Sequence, residues 1–102
     1  MKEHLTKLYK AFDNRTRLGI MSALMVNESV DFSTLKELLG VTDGNLASHL
    51  KALEGTGFVQ VKKSFIDRKP NTQYHATREG RKAFNQHLDA LANLIRQQHD
   101  NV

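Results

Sequence analysis

Between Thr42 and Glu54 the chain places small, polar and hydrogen-bonding side chains where one helix would share them on its outer face: Thr42, Asp43, Gly44, Asn45, Ser48, His49 and Lys51. Ala47 and Ala52 leave room for close approach. An asparagine can donate and accept across an adenine edge. Serine, histidine and lysine can reach base edges or phosphates, and a helix N-terminus offers backbone donors to a phosphate. This chemistry suits a major groove. It also suits a plain solvated face, because Lys51 stands against Asp43 and Glu54 and the segment is slightly negative.

A second group of residues weighs the choice. Residues 58–75 hold Lys62, Lys63, Arg68 and Lys69 against Asp67 alone, which is most of the excess in a chain of net charge +4. A basic hairpin after such a helix can lay its tip along phosphates, so that the wing from Lys62 to Thr72 grips the backbone. It can also set Arg68 into a minor groove while the helix occupies the adjacent major groove. The plainer use of these lysines is to guard an edge strand against pairing.

Other chemistries find little support. Cysteine is absent, so disulfides, thiolate metal sites and cysteine nucleophiles are excluded. There is no serine in a nucleophile elbow, no HExxH, no phosphate-binding glycine loop and no acid pair at a useful spacing, so neither an enzyme nor a cofactor is expected. His87, Asp89, His99 and Asp100 prompt a search for a metal site. His87 and His99 lie about 3.3 helical turns apart and share no tight face, so ordinary solvated histidines are expected and no metal. The N-terminus is charged through its first ten residues, and no stretch approaches the roughly 20 apolar residues of a membrane span. A cytoplasmic protein with no membrane partner is expected.

The elements that would position these residues follow from periodicity. Leu5, Leu8, Tyr9 and Phe12 recur at helical spacing, predicting a short N-terminal helix over residues 1–12. Asp13 and Asn14 break it and cap a second helix carrying Leu18, Met21, Leu24 and Met25, which stops near Asn27 to Ser29. Ser33 is placed to cap a third helix with Phe32, Leu35, Leu38 and Leu39, and Gly40 is placed to end it. Thr42 then caps the helix whose inward stripe is Leu46, Leu50 and Leu53, ended by Gly55 or Gly57. Two short helices joined through Gly40, Val41 and Thr42 make a helix-turn-helix.

Beyond it, Val59, Val61 and Phe65 alternate against Gln60, Lys62 and Ser64, predicting a strand, and Thr72 to Ala76 a return strand, with Ile66 to Asn71 as the exposed tip. Thr77 caps a final helix over residues 78–98, roughly 30 Å long. Its Phe84, Leu88, Leu91 and Ile95 follow the 4, 3, 4 spacing of a packing seam. The fold class is therefore α+β, mainly α, in one domain over residues 1–102.

These segments resemble the winged-helix regulators of the MarR and ArsR type, especially their small stand-alone members. The resemblance covers nearly the whole chain. Asp13 to Leu18 leading into Ile20 to Leu24 looks like their opening helix, and Asp31-Phe32 through Leu35 to Gly40 like their first motif helix. Thr42 to Leu50 resembles their recognition helix. Lys69-Pro70 with Thr72 and Tyr74, then Thr77, Gly80-Arg81 and Phe84, is similar to their wing and the start of their last helix.

The resemblance implies a winged helix-turn-helix with a two-stranded wing and a long C-terminal dimerisation helix. It also implies a homodimer that sets two recognition helices on a pseudo-palindromic double-stranded DNA site. The expected function is sequence-specific transcriptional regulation, as a repressor; any small-molecule effector is left unnamed. The alternative is a winged helix that docks a partner protein and binds no DNA. Leu5, Leu8, Phe12, Phe84, Leu88, Leu91 and Ile95 are the expected dimer interface. An intramolecular seam between the terminal helices would use the same residues, and the two uses are compatible.

Overall fold

The computed structural model describes residues 1–100, the side chain of Asp100 excepted. The chain runs α1 (Lys2–Thr6), a short 3-10 helix (Lys10–Phe12), α2 (Arg15–Met25), β1 (Val30–Asp31), α3 (Phe32–Leu39) and α4 (Asp43–Gly55). It continues through β2 (Val59–Ile66), β3 (Lys69–Ala76) and α5 (Arg78–Asp100). The strands form one antiparallel sheet in the order β1-β3-β2, and the fold is that of a winged helix. No described helix is long and apolar enough to cross a membrane.

Three of the expected caps form. Asn14 accepts the Arg17 N–H at 3.1 Å, Thr42 accepts the Asn45 N–H at 3.1 Å, and Thr77 accepts the Gly80 N–H at 2.9 Å. Each satisfies a donor that the first helical turn leaves without an intrahelical partner. Gly40, at φ 63°, ends α3 in the left-handed conformation that a side chain would disfavour. One core gathers Ile20, Met21 and Leu24 of α2, Leu35 of α3, Leu46, Leu50 and Leu53 of α4, Val59 of β2 and Phe84 of α5.

Four expectations are corrected. The N-terminal stretch is not one helix over residues 1–12, because Tyr9 turns extended and sends its N–H to Nδ1 of His87, 2.9 Å away, instead of to a helical carbonyl. Ser33 does not cap α3. Asp31 does, accepting the Thr34 N–H at 2.7 Å, and the Thr34 hydroxyl and N–H hold its carboxyl below the usual range. Val30 and Asp31 also form a strand, paired with Tyr74 and Gln73. The hairpin tip is no six-residue loop: Ile66 pairs with Lys69, so only Asp67 and Arg68 turn the chain, at φ 51° and 67°. Two left-handed residues match the strand twist, as in a type I′ turn.

The fourth correction concerns α5. Its buried face is Gly80, Ala83, Phe84, His87 and Ala90, so the stripe from Phe84 to Ile95 divides. Phe84 and Phe12 are sealed inside the chain's own core, in edge contact with centroids 5.2 Å apart. Neither offers surface to a second copy. At the N-terminus of α5 the backbone closes on the Phe58 carbonyl, which accepts the Thr77 N–H at 3.0 Å, and a Cβ built on Gly80 would stand 2.1 Å from that oxygen. Arg81 reaches across to donate to the carbonyls of Leu24 and Met25 at 3.0 and 3.2 Å, closing the C-terminus of α2.

Candidate nucleic-acid interface

Leu46, Leu50 and Leu53 are buried and fix the roll of α4 about its axis. Thr42, Asp43, Gly44, Asn45, Ser48 and Lys51 are consequently exposed, and His49 is half-buried at the edge of that face. The structure brings these sequence-predicted residues together on one helix surface. Thr42 is the exception in role, since its hydroxyl oxygen is occupied by the cap.

Residues of neighbouring elements, which the sequence reading passed over, hold this face. Lys36 on α3 pairs with Asp43 at 2.9 Å. From the first turn of α2, the Thr16 hydroxyl donates to Oδ1 of Asn45 at 3.0 Å. Nε of Arg17 donates to Nδ1 of His49 at 3.0 Å, while its guanidinium also reaches the Ala11 carbonyl at 3.3 Å. Arg15, beside them, is exposed. A signal was available in the sequence. Arginines at 15 and 17 sit in the first turn of a helix, where the macrodipole disfavours cations, so their presence there points to a use outside the helix.

The wing carries the charge. Lys62, Lys63, Arg68 and Lys69 are all exposed, and the ion pair of Lys36 with Asp43 is the only one among the described residues. Thr72 is half-buried and pairs across the ribbon with Lys63. Phe65 continues the inward phase of Val59 and Val61 but is 76% exposed, because the ribbon has by then run past the core. Ile66 is 55% exposed beside it.

At the other end, Leu5, Leu88 and Ile95 are 51%, 42% and 58% exposed, and Leu8 and Leu91 are half-buried. Leu5, Leu8, Leu18 and Leu91 line an open groove of about 770 Å³ between the N-terminal segment and α5. His87 is not a solvated histidine. It is buried with its ring against Phe84 and Phe12, its Nδ1 holds Tyr9, and desolvation pushes its pKa below the ordinary value, opposed in part by Asp13. His99 is exposed, and the side chain of Asp100 lies outside the described residues.

A sequence model described as a winged helix DNA-binding domain matches residues 16–95. An uncharacterized protein of Methanocaldococcus jannaschii is 41% identical over 85 residues, spanning 83% of this chain and 92% of its own. Among solved structures, a transcriptional regulator homologue from Pyrococcus horikoshii superposes with a TM-score of 0.86 at 34% identity, over 94% of this chain and 97% of that one. A protein from Enterococcus faecalis assigned to the MarR family of transcriptional regulators superposes at 0.71. It is 21% identical, over 90% of this chain and 84% of its own, and shares the fold.

Proposed function

The chain belongs to the winged helix DNA-binding domain family and is a DNA-binding transcriptional regulator, and from that premise we propose that it acts as a homodimeric, sequence-specific repressor on pseudo-palindromic duplex DNA. The acting unit is residues 1–102 as one winged-helix domain, working by binding rather than catalysis, on DNA in the cytoplasm. Thr42, Asp43, Gly44, Asn45, Ser48, His49 and Lys51 form the helix surface for the major groove. Lys62, Lys63, Arg68, Lys69 and Thr72 form the wing surface for the backbone.

One observation carries this reading: a hydrogen-bonding helix face, open to solvent, leads directly into a hairpin with four exposed cations and one carboxylate. Cations on phosphates supply affinity and register, and side chains on base edges supply specificity. Self-association is supported by the apolar surface of Leu5, Leu88, Leu91 and Ile95, which no other part of the chain fully covers among the described residues. Two bound helices about one turn of DNA apart would deny the site to other proteins.

The test is selection of bound sequences from a random duplex library, with light scattering on the free protein. The expected result is a pseudo-palindrome with half-sites centred about 10 base pairs apart, and a mass twice the 11.6 kDa of the chain. Leu88→Glu with Leu91→Glu should halve that mass and lose the paired half-sites. Folded protein that enriches no duplex even at low salt removes the DNA reading; an unchanged mass in the double variant moves the interface elsewhere.

A further inference from the structure

Three acceptor atoms on the outward side chains of α4 are each engaged from behind by a donor of a neighbouring helix. The Asp43 carboxylate is held by Lys36, Oδ1 of Asn45 accepts from Thr16, and Nδ1 of His49 accepts from Arg17. The last of these fixes a proton. A guanidinium has no acceptor, so the nitrogen facing Arg17 must carry the lone pair, and the single proton of the neutral imidazole is on Nε2. Arg17 cannot swing away freely, because its other arm is bound to the Ala11 carbonyl at 3.3 Å.

What remains toward solvent leans to the opposite polarity. The amide N–H groups of Asn45, the Nε2–H of His49 and the ammonium of Lys51 are donors, the Ser48 hydroxyl can serve either way, and the acceptor capacity left is the second oxygen of Asp43 at the start of the helix and the second lone pair of Asn45 Oδ1. Neither the Asn45 amide nitrogen nor His49 Nε2 has a hydrogen-bond partner among the described residues, and neither is a buried orphan. In the major groove cytosine presents an amino donor, adenine an amino donor beside its N7 acceptor, and thymine the single acceptor O4 beside its methyl, whereas only guanine presents two adjacent acceptors, O6 and N7.

Building on the DNA-binding reading of α4, we propose that the helix selects guanine edges, with His49 as the specificity-determining residue and Arg17 as the positioning residue that sets its tautomer. Asn45, with one Oδ1 lone pair already engaged by Thr16, presents its amide N–H groups to the groove as donors.

Two experiments test this. Nitrogen-15 long-range NMR of the free protein at alkaline pH, where histidine is neutral, should show His49 protonated at Nε2; protonation at Nδ1 overturns the proposal without any DNA present. In duplexes selected from a random library, each half-site should carry guanine at a fixed position. Replacing that guanine by 7-deazaguanine, which lacks the N7 acceptor, should weaken binding on the order of tenfold. His49→Ala and Arg17→Met, each checked for helicity by circular dichroism, should narrow the preference for guanine over adenine there to about twofold or less. A specific site with adenine, cytosine or thymine at the contacted positions, or indifference to 7-deazaguanine, overturns this inference and leaves the regulator reading intact. Failure to bind any duplex overturns both.

Discussion

Replacing Arg68 and Lys69 together by alanine isolates the grip of the wing on phosphate. Both side chains are exposed at a two-residue turn and neither is held in an ion pair. Alanine is also an L-residue, so the left-handed strain at position 68 stays and the hairpin itself is little changed. A cation on a phosphate of B-DNA contributes about 0.9 to the slope of log affinity against log salt. Two cations in each of two protomers give ~3.6 of slope. Between 50 and 200 mM salt, a fourfold change, the native protein should therefore lose ~2 decades of affinity more than the variant does. Fluorescence anisotropy across that range, on a selected duplex and on a scrambled one, reads the slope directly. The affinity lost on substitution should be nearly the same on both duplexes, because phosphates carry no sequence. A slope change of ~1.8 would mean that one wing per dimer engages. An unchanged slope, or a loss confined to the selected duplex, would refute the assignment of the wing to the backbone.

Three further outcomes follow from the packing. Gly80→Ala should lower stability by about 2 kcal/mol despite the better helix propensity of alanine, since the new Cβ meets backbone rather than a movable side chain; a thermal midpoint that holds or rises would deny the close approach to Phe58. Arg81→Met removes the charged hydrogen bonds to the carbonyls of Leu24, Met25 and Asn27 and should cost about 2 kcal/mol in urea denaturation, whereas a loss under about 0.5 kcal/mol would mean that water replaces them. Burial holds the folded pKa of His87 below 6.5, so the unfolded chain takes up the proton first as pH falls. Stability from this group is complete above about pH 6.5 and declines below it, toward the lower folded value. The urea midpoint should drop between pH 7.5 and 5.5, and His87→Phe should flatten that drop.

What the sequence made legible was whatever depends on neighbours a few residues away. Thr42 and Thr77 cap because their hydroxyls meet amides three residues on, and Leu46, Leu50 and Leu53 face inward because one helix turn aligns them. The reading failed where the deciding partner lies far along the chain. The N-terminal helix breaks at Tyr9 because His87, 78 positions away, claims its N–H. Phe12 and Phe84 look like the rest of an apolar seam until each becomes the other's core partner. Asp31 and Ser33 are both good caps by type, and β1 is too short for alternation to show, so its pairing with β3 was invisible. In the candidate site, the outward residues of α4 were legible by phase. Their supports, Thr16, Arg17 and Lys36, were not assignable to partners, because periodicity places a residue on a face without saying which neighbour stands behind it, and the helix-end position of Arg17 signals a use outside its helix without naming His49.

The two-residue turn of the wing has a consequence for how proteins of this build can vary. With Ile66 paired directly to Lys69 there is no slack in which an inserted or deleted residue could be lost. Unless a bulge absorbs it, one extra residue in either strand would slip the register and exchange the two faces of the ribbon, turning Lys62 to where Lys63 now points. The arm can keep its faces only by growing two residues on each strand at once, about 7 Å at a step. Its reach is thus set in discrete notches, and a lineage that needs a longer or shorter arm must jump rather than drift.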